Sequence, residues 1–294
     1  MVQIKEFRIV MPMSVEEYQV AQMYMVMRMQ QQNTNGSEGV EVLENRPVVD
    51  DQMGKSQYTS KLYRFQSKAP TWLKAFASLE SLIMQEEAWN SYPRCKTEFN
   101  LFEFLQCPYF SKFCLTVDTI HKADNGDSEN VHGLTKEQLA AREVEIIDIA
   151  SAANDYWSYI VGSNTTDFTK FKSTRTGRGP LLDGWQKSSN PVMTAYKLVI
   201  VDAPYWGFGY RLEQALIAGE RALFLESHRN CFSWIDEWFG MTMQEIRQLE
   251  LKSDSALNQK LMVEAGHRWS DENEDVPSNR LPLKSEEHKL AVDA

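Results

Sequence analysis

Residues 192–201 constrain the fold more than any other stretch, because they read as a strand with a lysine near its centre. The run is rich in β-branched and aliphatic residues, which favours extended backbone. Side chains alternate between faces, so Met193, Ala195, Lys197, Val199 and Val201 share one face. Val192, Thr194, Tyr196, Leu198 and Ile200 share the other. Both faces are largely apolar, which predicts a strand covered on both sides. An ammonium in that setting needs a counter-charge or loses its proton. Two readings stand: Lys197 snorkels to the surface from near a strand end, or it meets an anion, such as a lipid phosphate, inside an apolar chamber. The strand feeds Tyr205, Trp206, Gly207, Phe208, Gly209 and Tyr210, which follow Pro204. Aromatic rings on a glycine-bearing turn suit a membrane interface, and they equally suit a buried aromatic corner.

At 294 residues the chain accommodates one large domain or two ordinary ones. A net charge of −10 argues against a duplex DNA or RNA surface, so no nucleic-acid partner is expected. Cys95, Cys107, Cys114 and Cys231 show neither a C-x-x-C pair nor zinc-ligand spacing. Without an apolar signal stretch at the N-terminus, they read as reduced thiols of a cytosolic protein. No run approaches the ~18–20 apolar residues of a membrane span, so any membrane contact is expected to be peripheral and transient.

Taken in order, residues 3–11 read as a strand, and Ser14 with Glu17 forms a capping box for a helix reaching about residue 31. That helix is crowded with Met23, Met25, Met27 and Met29, flexible side chains that line adaptable surfaces. Tyr18, Gln22 and Met25 fall on one helical face. Gln22 is read first as a helix-edge residue satisfied by backbone or water. A short strand is expected over 40–43, a loop over 45–55 and a strand over 56–66. In the last, Gln57, Thr59, Lys61, Tyr63 and Phe65 project together. A hydroxyl beside a cation suits a phosphorylated or polyhydroxylated ligand, though exposed strands carry such pairs too.

Residues 70–93 mix apolar and acidic residues and end in a turn-like cluster from Trp89 to Pro93. Strands follow over 94–104, aligning Cys95, Thr97, Phe99 and Leu101, and over 112–121, aligning Phe113, Leu115, Val117, Thr119 and His121. Residues 106–111 interrupt them. After a turn at 124–127 come a short helix opened by Thr135 and Gln138 and a strand over 144–149. The long connection 150–190 carries a basic, glycine-containing run at 170–180 that matches neither a Walker A nor a Rossmann spacing. It reads as a solvated loop, a binder of acidic surfaces or a kinase substrate. Residues 212–226 are helical by period, with Leu212, Leu216, Gly219 and Leu223 on one stripe. Residues 231–239 continue or restart that helix, and Thr242 with Glu245 caps another. Glu250 lies one turn after Ile246 on the apolar side, where a carboxylate must find donors. Strands early and helices late predict an α+β domain, an antiparallel sheet curled over long helices. One domain is expected over 1–265, then a polar, mobile tail over 266–294.

Several stretches together resemble the class I phosphatidylinositol transfer proteins. They are residues 12–22, 57–61, 88–93, 171–181, 195–199 and 241–247, which occur in order across most of 1–260. The resemblance implies a START-like, helix-grip fold: a curved, largely antiparallel sheet wrapped over long helices, enclosing one phospholipid. Thr59, Lys61, Asn90 and Glu250 match inositol-contacting residues, and Gln22, Thr97, Thr119 and Lys197 match the phosphate-holding set. Cys95 matches a cysteine near the choline of phosphatidylcholine. Tyr205 and Trp206 stand where the family has a membrane-docking tryptophan pair, so the pair is altered here. Ser173 matches a regulatory phosphosite in a loop spanning about 150–190. Residues 98–113 run longer than the family pattern.

The implied activity is exchange of phosphatidylinositol for phosphatidylcholine between membranes by a monomer. No catalytic group, metal or cofactor is required beyond the lipid cargo. Phosphoinositide kinases are implied partners, and the cytoplasm the implied site. A scaffold that presents lipid without transferring it is the alternative. A lipid hydrolase lacks support, because no G-x-S-x-G elbow or nucleophile–base pair is present.

Overall fold

A computed structural model describes residues 2–35, 38–64, 83–101, 113–151, 158, 162 and 164–274, with side-chain detail except at 101 and 262–274. Eight strands form one sheet in the order β2-β3-β4-β5-β6-β8-β1-β7. They are β1 (Gln3–Met11), β2 (Gly39–Asp50), β3 (Gly54–Arg64), β4 (Ile83–Ser91), β5 (Arg94–Leu101), β6 (Cys114–Lys122), β7 (Arg142–Ile147) and β8 (Met193–Asp202). All neighbours are antiparallel except β1 with β7. The described helices are α1 (Val15–Asn33), α2 (Lys136–Ala141), α3 (Trp185–Ser188), α4 (Gly209–Ser233), α5 (Ile235–Trp238) and α6 (Met243–Glu274). The architecture is α+β, a large, mostly antiparallel sheet with helices, in keeping with a START-like fold.

Local chemistry starts the helices where expected. Ser14 Oγ accepts from the Glu17 amide at 3.2 Å while Glu17 accepts from the Ser14 amide at 2.7 Å, so two otherwise orphaned donors are satisfied. Thr135 with Gln138 and Thr242 with Glu245 repeat the device for α2 and α6. One face of the sheet receives the long helices: α4 packs on β1 and β8, α1 on α4 and β2, and α6 on α1 and β2. Phe7 of β1 meets Phe224 of α4 edge-to-face at 5.5 Å, at the centre of the main core.

The opposite face is closed by the segment after β6. Tyr196 donates to Asp124 at 2.9 Å, and Arg8 bridges buried Glu6 at 2.8 Å and Glu129 at 3.2 Å. Arg142 adds a 2.7 Å bond to Glu6. Ion pairs and hydrogen bonds hold the carboxyl of Glu6 at about 2 against the burial that would raise it. β8 is therefore covered on both sides, as its apolar faces predict.

Three expectations need correction. Residues 45–55 are no loop: β2 runs unbroken to Asp50, and the turn is confined to Asp50–Met53, where Asp50 accepts from the amides of Gln52 and Met53 at 2.8 Å. Pro47 misled because β2 lies at the edge of the sheet, where a missing N–H costs no ladder bond. Trp89 and Asn90 belong to β4 rather than a turn, since β4 pairs with both β3 and β5. The α4 stripe is displaced: Leu223 is 38 % exposed, while Glu213, Ile217, Glu220 and Phe224 are buried. In addition, α6 continues past residue 266 to Glu274. The expectations for 65–82, for 106–111 and for the tail over 275–294 lie outside the described residues.

Phe7 is fully buried. Replacing it with alanine is expected to lower unfolding free energy by about 3–5 kcal/mol, measured by urea denaturation, whereas Val49→Ala at the 81 % exposed edge should change it by less than about 0.5 kcal/mol.

Candidate functional site

Strand register decides which side chains meet. Residues directly opposite on paired strands point the same way, and the ladders align Lys197, Thr119, Cys95, Asn90 and Gln57 in one row across β8, β6, β5, β4 and β3. The next row, about 7 Å away along the strands, contains Val199, Val117, Thr97, Ala88 and Thr59. A third contains Val201, Leu115, Phe99, Glu86 and Lys61. Phe7 lies opposite Lys197 and packs on Phe224, so these rows face the helices. The sheet thus gathers Thr59, Lys61, Asn90, Cys95, Thr97, Thr119 and Lys197 onto its inner face.

Burial along that face is uneven. A strand flanked on both sides and pressed against a helix normally alternates buried and exposed positions. Every residue of β4 is instead half-buried, whereas most of β8 is fully buried. Lys197 Nζ sits 4.7 Å from the Phe224 ring centroid and, among the described residues, makes no ion pair or hydrogen bond. Burial pulls its pKa down, opposed by Cys95 and Glu220. Lys61 is 8 % exposed and also has no ion-pair partner among the described residues. Thr97 lies 3.9 Å from the Cys95 sulfur, whose thiol pKa is raised by burial.

The helices complete the surround. On α1, Tyr18 is fully buried and hydrogen-bonds His228 at 2.8 Å. Gln22 follows one turn later, and its Nε2 is buried without a partner. On α6, Glu250 finds its donor in Arg247 at 2.6 Å.

The aromatic pair divides. Trp206 is 91 % exposed, whereas Tyr205 is 6 % exposed and stacks on Phe208 at 5.4 Å. Gly209 permits this turn: a Cβ there would lie 2.0 Å from the Ala203 carbonyl. Ser173 is also buried. Its hydroxyl donates to Asp236, which further accepts from Thr174 and from the Arg175 amide at 3.1 Å. The segment is pinned rather than a freely solvated loop, and Arg178 fastens it to Glu17 of α1 at 2.9 Å.

Sequence reasoning missed two groups. Tyr92, His121, Tyr18 and His228 form a ring stack, with successive centroids 5.1, 5.0 and 5.7 Å apart. His121 donates through Nδ1 to Pro93 and His228 through Nδ1 to Phe224. Burial, reinforced by Lys197, lowers both imidazoles to about 3, so they stay neutral at physiological pH. The second group is acidic. Tyr63 donates to Glu86 at 3.1 Å, and Gln30 donates to Tyr63 at 3.2 Å. Nearby Glu220 is raised to about 7 by burial, with Lys197 opposing and Glu86 adding to the rise. Alignment on strands 56–66 and 112–121 already pointed to Tyr63 and His121, but Glu86 and Glu220 left no comparable signal.

A separate depression of about 470 Å³, bordered by Met29, Asn164, Asn230, Ser233 and Trp234, touches none of the expected site residues. Among the described residues no cluster of three metal-ligating side chains occurs, and no helix is long and apolar enough to cross a membrane. Cys95, Cys114 and Cys231 are free thiols.

The family model described as phosphatidylinositol transfer protein matches residues 2–255. Phosphatidylinositol transfer protein 1 of Dictyostelium discoideum is 41 % identical over 261 residues, 88 % of this chain and 95 % of the relative. Cytoplasmic phosphatidylinositol transfer protein 1 of Drosophila melanogaster is 36 % identical, covering 90 % of this chain and 94 % of its own length. Membrane-associated phosphatidylinositol transfer protein 2 of Homo sapiens is also 36 % identical, over 88 % of this chain but only 19 % of its own length.

The titration of Glu220 tests the chamber's electrostatics. Because its folded pKa is raised, this group's contribution to stability is full below the ordinary carboxylate value and is lost as pH rises through about 7. Carboxyl-carbon NMR should find its midpoint near 7. Lys197→Met should move that midpoint upward, since it removes the cation that favours the carboxylate.

Proposed function

The chain belongs to the phosphatidylinositol transfer protein family, and on that premise we propose that it encloses one phosphatidylinositol or phosphatidylcholine molecule and exchanges it between membranes. One observation carries the reading: Lys197 and Lys61 project from a single sheet face toward the helices, where among the described residues no carboxylate forms an ion pair with either. A lipid phosphate on Lys197 would supply the missing charge, with Gln22, Thr97 and Thr119 donating charge-assisted hydrogen bonds. Thr59, Lys61, Asn90 and Glu250 offer donors and acceptors matched to inositol hydroxyls. Cys95, in the row between Thr119 and Asn90, adjoins the position of a choline.

Orientation follows from the rows. On β8, β6 and β5 the polar members lie toward the His121 end, while Val201, Leu115 and Phe99 lead toward Ala203 and the aromatic turn; on β4 and β3, Glu86 and Lys61 extend the polar surface alongside. Lipid therefore enters head first, leaving its tails nearest the membrane. Each buried methylene contributes about 0.8 kcal/mol, so release into water is strongly opposed and exchange occurs at a bilayer. Trp206 makes that docking contact. No bond is made or broken.

Ser173 sits at the other end of α4, tied to Asp236. A phosphate there would stand against that carboxylate and expel the segment. Modification thus follows loosening of this segment and holds it loose. Phosphoinositide kinases would receive the delivered lipid. The setting is cytoplasmic with transient membrane contact, as the name of the Drosophila relative suggests.

Transfer of radiolabelled lipid between vesicles tests this. Thr59→Ala and Lys61→Ala should cut phosphatidylinositol transfer about tenfold or more while leaving phosphatidylcholine transfer within about twofold, each removing hydrogen bonds that only the inositol ring makes. Equal losses would reject the head-group assignment, and saturable binding without transfer would favour lipid presentation. Trp206→Ala should weaken vesicle association without lowering the melting temperature, whereas Tyr205→Ala should lower that temperature.

A further inference from the structure

Helix α6 carries two stripes of opposite character. Ile246 and Leu249 pack with Val20 and Met23 of α1, the ordinary hydrophobic seam. Glu250, Asp254 and Asn258, each four residues apart, make a polar stripe. That stripe meets the β2–β3 hairpin. Asn258 accepts from the Val42 amide at 2.9 Å and donates to the Val42 carbonyl at 2.8 Å. Val42 stands on the edge strand, beside the bulge that throws Leu43 outward. The side-chain amide therefore satisfies both free edge groups of that residue, as a further strand would.

One turn earlier, Asp254 accepts from Asn45 at 2.8 Å, and Asn45 accepts from Gln57 at 2.7 Å. Gln57 lies opposite Asn90, and Asn45 lies opposite Thr59. A chain of hydrogen bonds thus runs from the inositol-side rows of the sheet to the helix that bears Glu250. Lys61 attracts Asp254 from below, and Asn45 likewise favours its charged form, against the burial that raises its pKa.

We propose that Asn45, Asp254 and Asn258 are positioning residues for inositol recognition, fastening α6 to the hairpin so that Glu250 faces Thr59 and Lys61 across the head-group site. The inference rests on the transfer reading above. A merely structural tie would hold the helix equally for any cargo. A positioning tie matters for the lipid whose head group uses Glu250, and little for one that does not. Phosphatidylinositol transfer then depends on the tie, and phosphatidylcholine transfer does not.

The test uses the full chain with donor vesicles carrying radiolabelled phosphatidylinositol or phosphatidylcholine. The ratio of the two rates is insensitive to the fraction of protein that is folded. Asn258→Ala removes two hydrogen bonds and should lower the phosphatidylinositol-to-phosphatidylcholine ratio about tenfold, and Asn45→Ala should lower it in the same direction. Ser253→Ala instead cuts a 2.9 Å tie from Gln31 of α1 and should leave the ratio unchanged. An unaltered ratio in Asn258→Ala and Asn45→Ala, or an equal drop in Ser253→Ala, would overturn the proposal. Failure of the wild-type protein to carry both lipids would overturn the underlying reading instead.

Discussion

An ammonium held inside a sheet-and-helix interior, above the ring of Phe224 and without an ion-paired carboxylate among the described residues, organises this molecule. Lys197 stands on a central strand, so removing the charge from water is costly wherever the surrounding side chains fail to compensate. Phe224 offers a modest cation–π attraction. Glu220 adds an attraction weakened by its own raised pKa. Neither matches the compensation a bound phosphate would bring. The neighbouring histidines, held neutral, add no competing charge, which suits the proposed phosphate contact.

The rest of the fold makes that arrangement tolerable. Charged residues that the sheet does not aim inward are matched closely: Glu6, Arg8, Arg142 and Glu129 neutralise one another on the opposite face. Glu226 and Arg229 do the same within α4. Against this background Lys61 and Lys197, without an ion-pair partner among the described residues, stand apart. Stability comes from the dry contact of β1 and β8 with α4, where Phe7, Val199 and Val201 are fully buried. The residues proposed to bind lipid lie largely on β3, β4 and β5, where most side chains are only partly buried. A single sheet can serve both roles because its two ends have different neighbours.

The two ends of α4 divide the remaining work. At its start, a tight turn buries Tyr205 against Phe208 and leaves Trp206 exposed. At its end, α5 offers Asp236 to a segment that is otherwise rich in positive charge. The exposed Trp206 and the buried Ser173 are thus separated by the length of the helix.

Much of this was legible in the residues themselves. Period-two alternation determined that Thr59 and Lys61 share a face of one strand and Cys95 and Thr97 a face of another, because a pleated strand allows no other outcome. Capping boxes at Ser14, Thr135 and Thr242 determined where helices begin, because the partners lie three residues apart. What the chain could not announce is which faces turn toward each other. Pairing of β4 on both sides overrode the turn-like chemistry around Trp89. The edge position of β2 made Pro47 harmless, and the burial of Tyr205, Ser173 and Glu220 depends on elements distant in sequence. Local spacing is written in the order of residues, whereas burial, charge compensation and convergence arise only when the strands close into one sheet.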